Sequence, residues 1–195
     1  MLTIGTIVSA GQAASSRDLT KTNPEVWMTK SDTAPLSAID GATFRKAMAR
    51  FLTGVTIITV ADRQQRLYGL TVNSFNSVSL SPPLVLWSLD KRNAGIELFR
   101  NADGFAVNIM AAAQIDLCQR FSADGDRFAD MEWEFGAFGQ PLLRHVLASM
   151  ECRHWAEYDG GDHVIMVGEV ITIANGDGRP LAFFGGKYGR FDPDA

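Results

Sequence analysis

The sequence predicts a mainly β fold with a few helices, built on an antiparallel sheet closed into a barrel. Three observations carry this. Six or seven short runs rich in β-branched and aromatic residues are bounded by turn signals. Only three segments show helical spacing, and no regular strand–helix alternation runs through the chain. The joins between strands are short, as at 62–66, 159–162 and 175–178, which suits antiparallel neighbours and a sheet closed on itself.

Taken in order, residues 1–37 hold Ser, Thr, Gly, Pro and Ala with little periodicity and read as a flexible N-terminal arm. Met28 stands within it as an alternative start. Leu2 to Ala10 is mildly apolar but follows no basic segment, so it reads as a tail rather than a signal peptide. Residues 38–195 form the single ordered domain that a chain of 195 residues has room for. Asp40 is a helix N-cap, and Phe44, Ala47, Met48, Phe51 and Leu52 follow at helical spacing, predicting an amphipathic helix that ends near Gly54. The run 55–60 (VTIITV) is a strand, and Leu67 to Val72 returns after a polar turn. Pro82-Pro83 should stop the ladder there, and Leu84 to Leu89 is a buried strand. A short helix at 94–100, a strand at 104–110 and a helix at 111–121 come next. Residues 122–141 read as a surface excursion held by aromatic side chains rather than by a ladder. Residues 142–158 and 164–173 form a hairpin around Asp159-Gly160-Gly161-Asp162. A last strand, 181–184, precedes a Gly-rich tail, GGKYGRFDPDA.

Composition excludes several function classes. An apolar fraction of 46% supports a core. The net charge of −4, from 18 basic and 22 acidic residues with no Lys/Arg-rich run, argues against nucleic acid. No apolar run reaches the roughly 18 residues that span a membrane, so the default compartment is the cytoplasm. The two cysteines, Cys118 and Cys152, sit in apolar settings and read as buried packing residues. With three histidines and no CxxC or HxxxH, no metal site is expected. The absence of GxGxxG, GxxxxGK[ST] and GxSxG argues against a Rossmann domain, a P-loop enzyme and an α/β-hydrolase.

The chemistry is expected around residues 67–89, LYGLTVNSFNSVSLSPPLVLWSL, a stretch without a charge until Asp90. Six of the nine residues from Thr71 to Ser79 are Thr, Ser or Asn. Buried hydroxyls and amides without partners cost about 1–3 kcal/mol each. Either neighbouring carbonyls satisfy them or a polar ligand does, and composition weighs the two about equally. Strand alternation would put Thr71, Asn73, Phe75, Ser77 and Ser79 on one face, and a bend near Asn73-Ser74 would free backbone N–H groups for a flavin's pyrimidine edge or phosphate. Asp90 to Asn93 opens a helix, where Lys91 and Arg92 would attract a phosphate, although this fragment alone favours a solvated charged loop. His163 follows Gly160-Gly161-Asp162 at a strand mouth, placed to bond a carboxamide or pass a proton, or else simply a hairpin residue. Tyr188 and Arg190 in the tail could cover a pocket, or else lie in a frayed terminus.

Several pieces together resemble one family: FLTGVTIITV, GLTVNSFNSVSLSPPLVL, GFAVNIMAAAQ, RFS at 120–122, GDH at 161–163 and KYGRF at 187–191. In this order they are similar to the short-chain flavin reductases of two-component monooxygenases, which are FMN-binding split-barrel proteins. The resemblance spans about Phe44 to Phe191. It implies a homodimeric split barrel that uses NADH or NADPH to reduce FMN or FAD, with the reduced flavin diffusing to a separate flavin-dependent oxygenase. By this resemblance Val72, Asn73, Ser74, Phe75, Asn76, Val78 and Ser79 contact the flavin ring and ribityl chain. Asn93 lies near the flavin phosphate or adenylate, and Arg120, Phe121 and Ser122 touch the flavin's other end. His163 positions the nicotinamide, as an orienting residue first and a proton donor second, and Tyr188 and Arg190 help to hold it. The long segment before Phe44 departs from the family pattern. Competing expectations are an FMN-binding electron carrier or sensor without pyridine-nucleotide turnover, a pyridoxamine-phosphate oxidase-like enzyme, and a structural protein whose polar strand is core.

Overall fold

A computed structural model describes residues 38–191. The expected arm at 1–37, with Met28, lies outside the described residues, as do 192–195. Asp40 caps the first helix as its position predicts. Its Oδ1 accepts from the Ala42 and Thr43 N–H groups, both at 2.9 Å. This helix, α1 (Gly41–Met48), is shorter than the periodicity implies and buries none of its residues. Phe44, Met48, Phe51 and Leu52 are all about half exposed or more.

Twelve strands follow: β1 (Thr53–Gly54), β2 (Thr56–Ala61), β3 (Leu67–Val72), β4 (Asn76–Leu80), β5 (Pro83–Asp90), β6 (Gly104–Ile109), β7 (Trp133–Phe135), β8 (Pro141–Leu143), β9 (Ala148–Gly160), β10 (His163–Asn175), β11 (Leu181–Phe184) and β12 (Lys187–Arg190). Two further helices, α2 (Ile96–Asn101) and α3 (Ile115–Ser122), are interposed. Seven strands form the main sheet in the order β3-β2-β6-β9-β10-β5-β4, and every described pairing is antiparallel. Its two end strands, β3 and β4, are separated only by residues 73–75. A sheet whose ends are that close in sequence must curl until they meet, so it forms a barrel with an open seam between β3 and β4.

The barrel interior is packed by Ile58, Val60, Trp87, Leu89, Phe105 and Met166 with Phe99 of α2. A second cluster, including Ile57, Cys118, Phe121 and Leu181, lies on the other side of β2. Every residue of β2 is therefore buried, which explains why it reads as a continuous β-branched run instead of alternating. Cys118 and Cys152 are buried free thiols, as expected, and desolvation pushes both up to about 12.

Four expectations are corrected. Pro82-Pro83 does not end the ladder. Ser81 and Pro82 make the turn, and Pro83 opens β5 opposite Leu80, since a strand's first position tolerates a missing N–H. The excursion at 122–141 does contain a ladder, β7–β8, beside the aromatic chain Phe121–Phe128–Trp133–Phe135. Residues 111–114 are not helical, because Ala111 bridges Pro180 and the Ala112 N–H donates to the Arg179 carbonyl. Finally, the Gly-rich tail is a strand. Gly185 and Gly186 both have positive φ, +60° and +77°, and turn the chain into the β11–β12 hairpin. Among the described residues no helix is long and apolar enough to cross a membrane.

Candidate active site

The seam is where the chemistry-bearing residues gather. The β2–β3 ladder ends at Val72 and the β4–β5 ladder begins at Asn76, so the amides of Asn73, Ser74 and Phe75 are committed to neither. A groove runs past this break in two lobes that share Thr71, Val72 and Asn73. One lobe, about 180 Å³, is completed by Val55, Ser122, Phe183 and Tyr188. The other, about 250 Å³, is completed by Leu70, Ser74, Ser88, Asp90, Asn93 and His163.

The polar run divides between scaffold and groove. Thr71 Oγ1 donates to the Cys118 carbonyl at 2.7 Å, fastening β3 to α3. The Ser88 N–H donates to Ser74 Oγ at 2.9 Å, closing the break against β5. Asn76 Oδ1 accepts from the Ser77 N–H, and Ser79 Oγ accepts from the Ser81 N–H. Asn73 is exposed, and among the described residues no hydrogen bond engages its side chain. The polar face expected from strand alternation is not continuous: the chain bends at 73–75, Phe75 packs against the barrel interior, and the register shifts between Ser77 and Ser79.

On the larger lobe, Asn93 Oδ1 accepts from the Gly95 N–H at 2.8 Å, which fixes the turn into α2 and leaves its amide donors without a partner among the described residues. Lys91 pairs with Asp159 and Arg92 with Asp90, so the segment is the charged loop that the fragment alone favours, and neither cation is left free for a phosphate. Hydrogen bonds from the Arg92 side chain hold the Asp90 carboxyl well below the usual carboxylate range. His163 opens β10 opposite Asp90, is partly exposed, and has Nδ1 2.7 Å from Asp162 Oδ1. The smaller lobe sets Tyr188 edge-on to Phe183 at 5.5 Å. Burial raises the Tyr188 phenol above its ordinary pKa.

The structure thus brings Val72, Asn73, Ser74, Asn93, Ser122, His163 and Tyr188 to one groove. It does not bring the rest. Phe121 is 1% exposed in the second core cluster, its ring against Gly69. Arg120 Nη1 donates to the Ala129 carbonyl, and Asn76, Val78 and Ser79 lie along β4, outside both lobes. Arg190 lies two residues beyond Tyr188 on β12 and lines neither lobe. His163 and Tyr188, expected at one ligand, stand in different lobes. Sequence reasoning missed Val55, Phe183 and Ser88 as lining residues. The alternation of Ser88 and Asp90 with buried Trp87 and Leu89 was the available signal for the last.

These features are those of a flavin-handling barrel, and the chain belongs to the flavin reductase like domain family, which matches residues 48–192. It is 47% identical over 148 residues to the FMN reductase (NADH) SmoA of Agrobacterium fabrum, covering 76% of this chain and 84% of that protein. It is 38% identical over 159 residues to the flavin-dependent monooxygenase reductase subunit HsaB of Rhodococcus jostii, covering 80% and 81%. The solved NADH:FAD oxidoreductase SgcE6 of Streptomyces globisporus, in complex with NAD and FAD fragments, superposes with a TM-score of 0.76 at 38% identity, over 80% of this chain and 95% of that one.

Proposed function

We infer that the chain is an NAD(P)H-dependent flavin reductase that reduces FMN or FAD and supplies reduced flavin to a separate monooxygenase component. The observation that carries this is the two-lobed groove at the seam, with unladdered amides between His163 and Tyr188. Relatives named for NADH make NADH the donor to try first. The reaction is a hydride transfer between two stacked rings, so the chain's task is orientation and close approach rather than acid–base work.

The groove suits a flavin. The amides of Asn73 to Phe75 and the Asn73 side chain offer uncharged donors to a pyrimidine edge, and Val55, Phe183 and Tyr188 offer an apolar wall. Ser122 closes the Tyr188 end. Asn93 and His163 face the other lobe, where a nicotinamide would lie over the flavin. No charged base is needed, and the one carboxylate lining the groove among the described residues, Asp90, is paired with Arg92.

We place the working unit as a homodimer in the cytoplasm. The half-exposed apolar side chains of α1, together with Leu80 at 89% exposure on edge strand β4, are surface that a second copy would cover. The oxygenase partner is met by diffusion of product. The test is oxidation of NADH with and without added FMN or FAD. Turnover that rises and saturates with free flavin is expected. A tightly yellow protein with no turnover would instead make the chain a carrier or sensor.

A further inference from the structure

We propose that Asp162 is a positioning residue for hydride transfer: it fixes the His163 ring so that Nε2, bare of a proton in the neutral imidazole, accepts a hydrogen bond from the carboxamide N–H of the nicotinamide. The inference rests on the reductase reading of the groove.

The geometry begins with the turn. β9 and β10 are joined by two residues, Gly161 and Asp162, and Gly161 has φ +82° while Asp162 stays in the ordinary negative range. Positive φ at the first central position alone is the type II′ arrangement, which glycine suits. The turn is held from outside. The Lys91 N–H donates to the Asp162 carbonyl at 3.1 Å, and the Gly161 N–H donates to Asp159 Oδ1 at 3.0 Å. Asp162 is therefore anchored through its backbone, and its carboxylate lies 2.7 Å from His163 Nδ1.

An ionised carboxylate only accepts hydrogen bonds, so the proton between the two belongs to Nδ1. The His163 contact keeps the Asp162 carboxyl below its ordinary range, consistent with its being ionised at neutral pH. Nε2 has no partner in the described chain, and His163 lines the larger lobe. The charged groups around the ring are Asp162 on its own turn, and Asp90 with its partner Arg92 at the end of β5. In the neutral form of the ring, Nε2 is thus the acceptor presented to the lobe.

A carboxamide offers an N–H₂ group to such an acceptor, whereas an acetyl group does not. The test compares NADH with reduced 3-acetylpyridine adenine dinucleotide. The wild-type protein is expected to show a KM about tenfold lower for NADH, the order of one lost hydrogen bond. In Asp162→Ala the KM for NADH should rise and the ratio between the nucleotides should collapse toward one, with flavin Kd unchanged and kcat within a few-fold. Asp162→Asn, which keeps the side chain's shape, serves if the alanine variant folds poorly. Its amide can also donate to Nδ1, so it should weaken the preference. A wild-type nucleotide ratio retained in both variants overturns the proposal, as does joint loss of flavin binding and turnover, which would mark Asp162 as merely structural. Nitrogen-15 NMR of the three histidines in the wild-type protein reads the tautomer directly. A neutral His163 protonated at Nε2 refutes the proposal even if the variants behave as expected. Absence of any NADH turnover with free flavin would refute the reductase reading instead, while the tautomer would still report on Asp162.

Discussion

Ser74 separates a ligand-binding role from a scaffolding one, and the structure supports the second. Its Oγ accepts from the Ser88 N–H at 2.9 Å, while its own approach to the Ser88 carbonyl, 3.5 Å, is too long for a strong bond. Ser74→Ala removes the acceptor and leaves a half-buried backbone N–H on the groove wall without a partner. A lost hydrogen bond of this kind costs about 1–1.5 kcal/mol. For a domain of this size that corresponds to roughly 3–6 °C in Tm. With the break no longer closed against β5, the free amides of 73–75 lose their preorganisation, so flavin Kd should rise as well. Thermal unfolding followed by circular dichroism measures the first effect, and quenching of flavin fluorescence the second. Both should move together. An unchanged Tm beside a tenfold weaker flavin would refute the reasoning, because the hydroxyl would then be acting on the ligand and not on the seam.

His163→Ala should raise the KM for NADH while flavin Kd stays within about twofold of wild type, because His163 and Tyr188 occupy different lobes. Collapse of flavin binding would show that the lobes are assigned the wrong way round. Neither thiol should react with a disulfide reagent in the native protein at pH 8, and both should react on unfolding. A thiol near 12 is only about one part in ten thousand thiolate there, so rapid native labelling would contradict the burial. Asp90 has a lowered pKa in the fold, chiefly from the Arg92 hydrogen bonds. A lowered carboxyl pKa contributes stability that is present above the unfolded value, about 3.9, and disappears as pH falls through the folded one. The stability gap between the wild type and Arg92→Met should therefore narrow as pH falls below about 4. A gap independent of pH would mean that Arg92 acts through packing and not through Asp90.

The barrel was legible because its strands are local patterns. The β-branched run of β2, the polar turn at 62–66 and the hairpin around 160–163 each announce themselves within a few residues. What failed was structure that depends on distant partners. The β7–β8 ladder is held by Glu151, 1% exposed on β9, whose carboxylate accepts from the Phe138 and Gln140 N–H groups and from Thr172 Oγ1. Nothing near residues 133–141 reveals that a buried acid will anchor the loop between those strands. The end of the chain is a different case. A Gly-Gly pair between LAFF and KYGR is itself a two-residue hairpin signal, but near the chain's end in a Gly-rich stretch it suits a loose tail equally well. As a turn, the pair places Tyr188 on a strand opposite Phe183.

The polar stretch 71–79 shows why composition alone could not decide between a ligand and the core. Both answers hold, residue by residue. Thr71 and Ser74 are spent on the protein itself, in bonds to Cys118 and Ser88. The same two bonds hold β3 against α3 and the break against β5, and that leaves Asn73 on the groove wall and the amides of 73–75 outside both ladders. Hydroxyls that bind the scaffold create the donors that can bind a ligand. A sequence pattern marks such a segment as polar but cannot say which hydroxyl faces which partner, since that depends on α3 and β5, dozens of residues and one strand away. The consequence for mutagenesis is that loss of flavin affinity on substituting Thr71 or Ser74 does not by itself place either side chain against the flavin. Only a variant that weakens binding without lowering Tm does, and Asn73, whose side chain bonds none of the described residues, is the position where that separation should be cleanest.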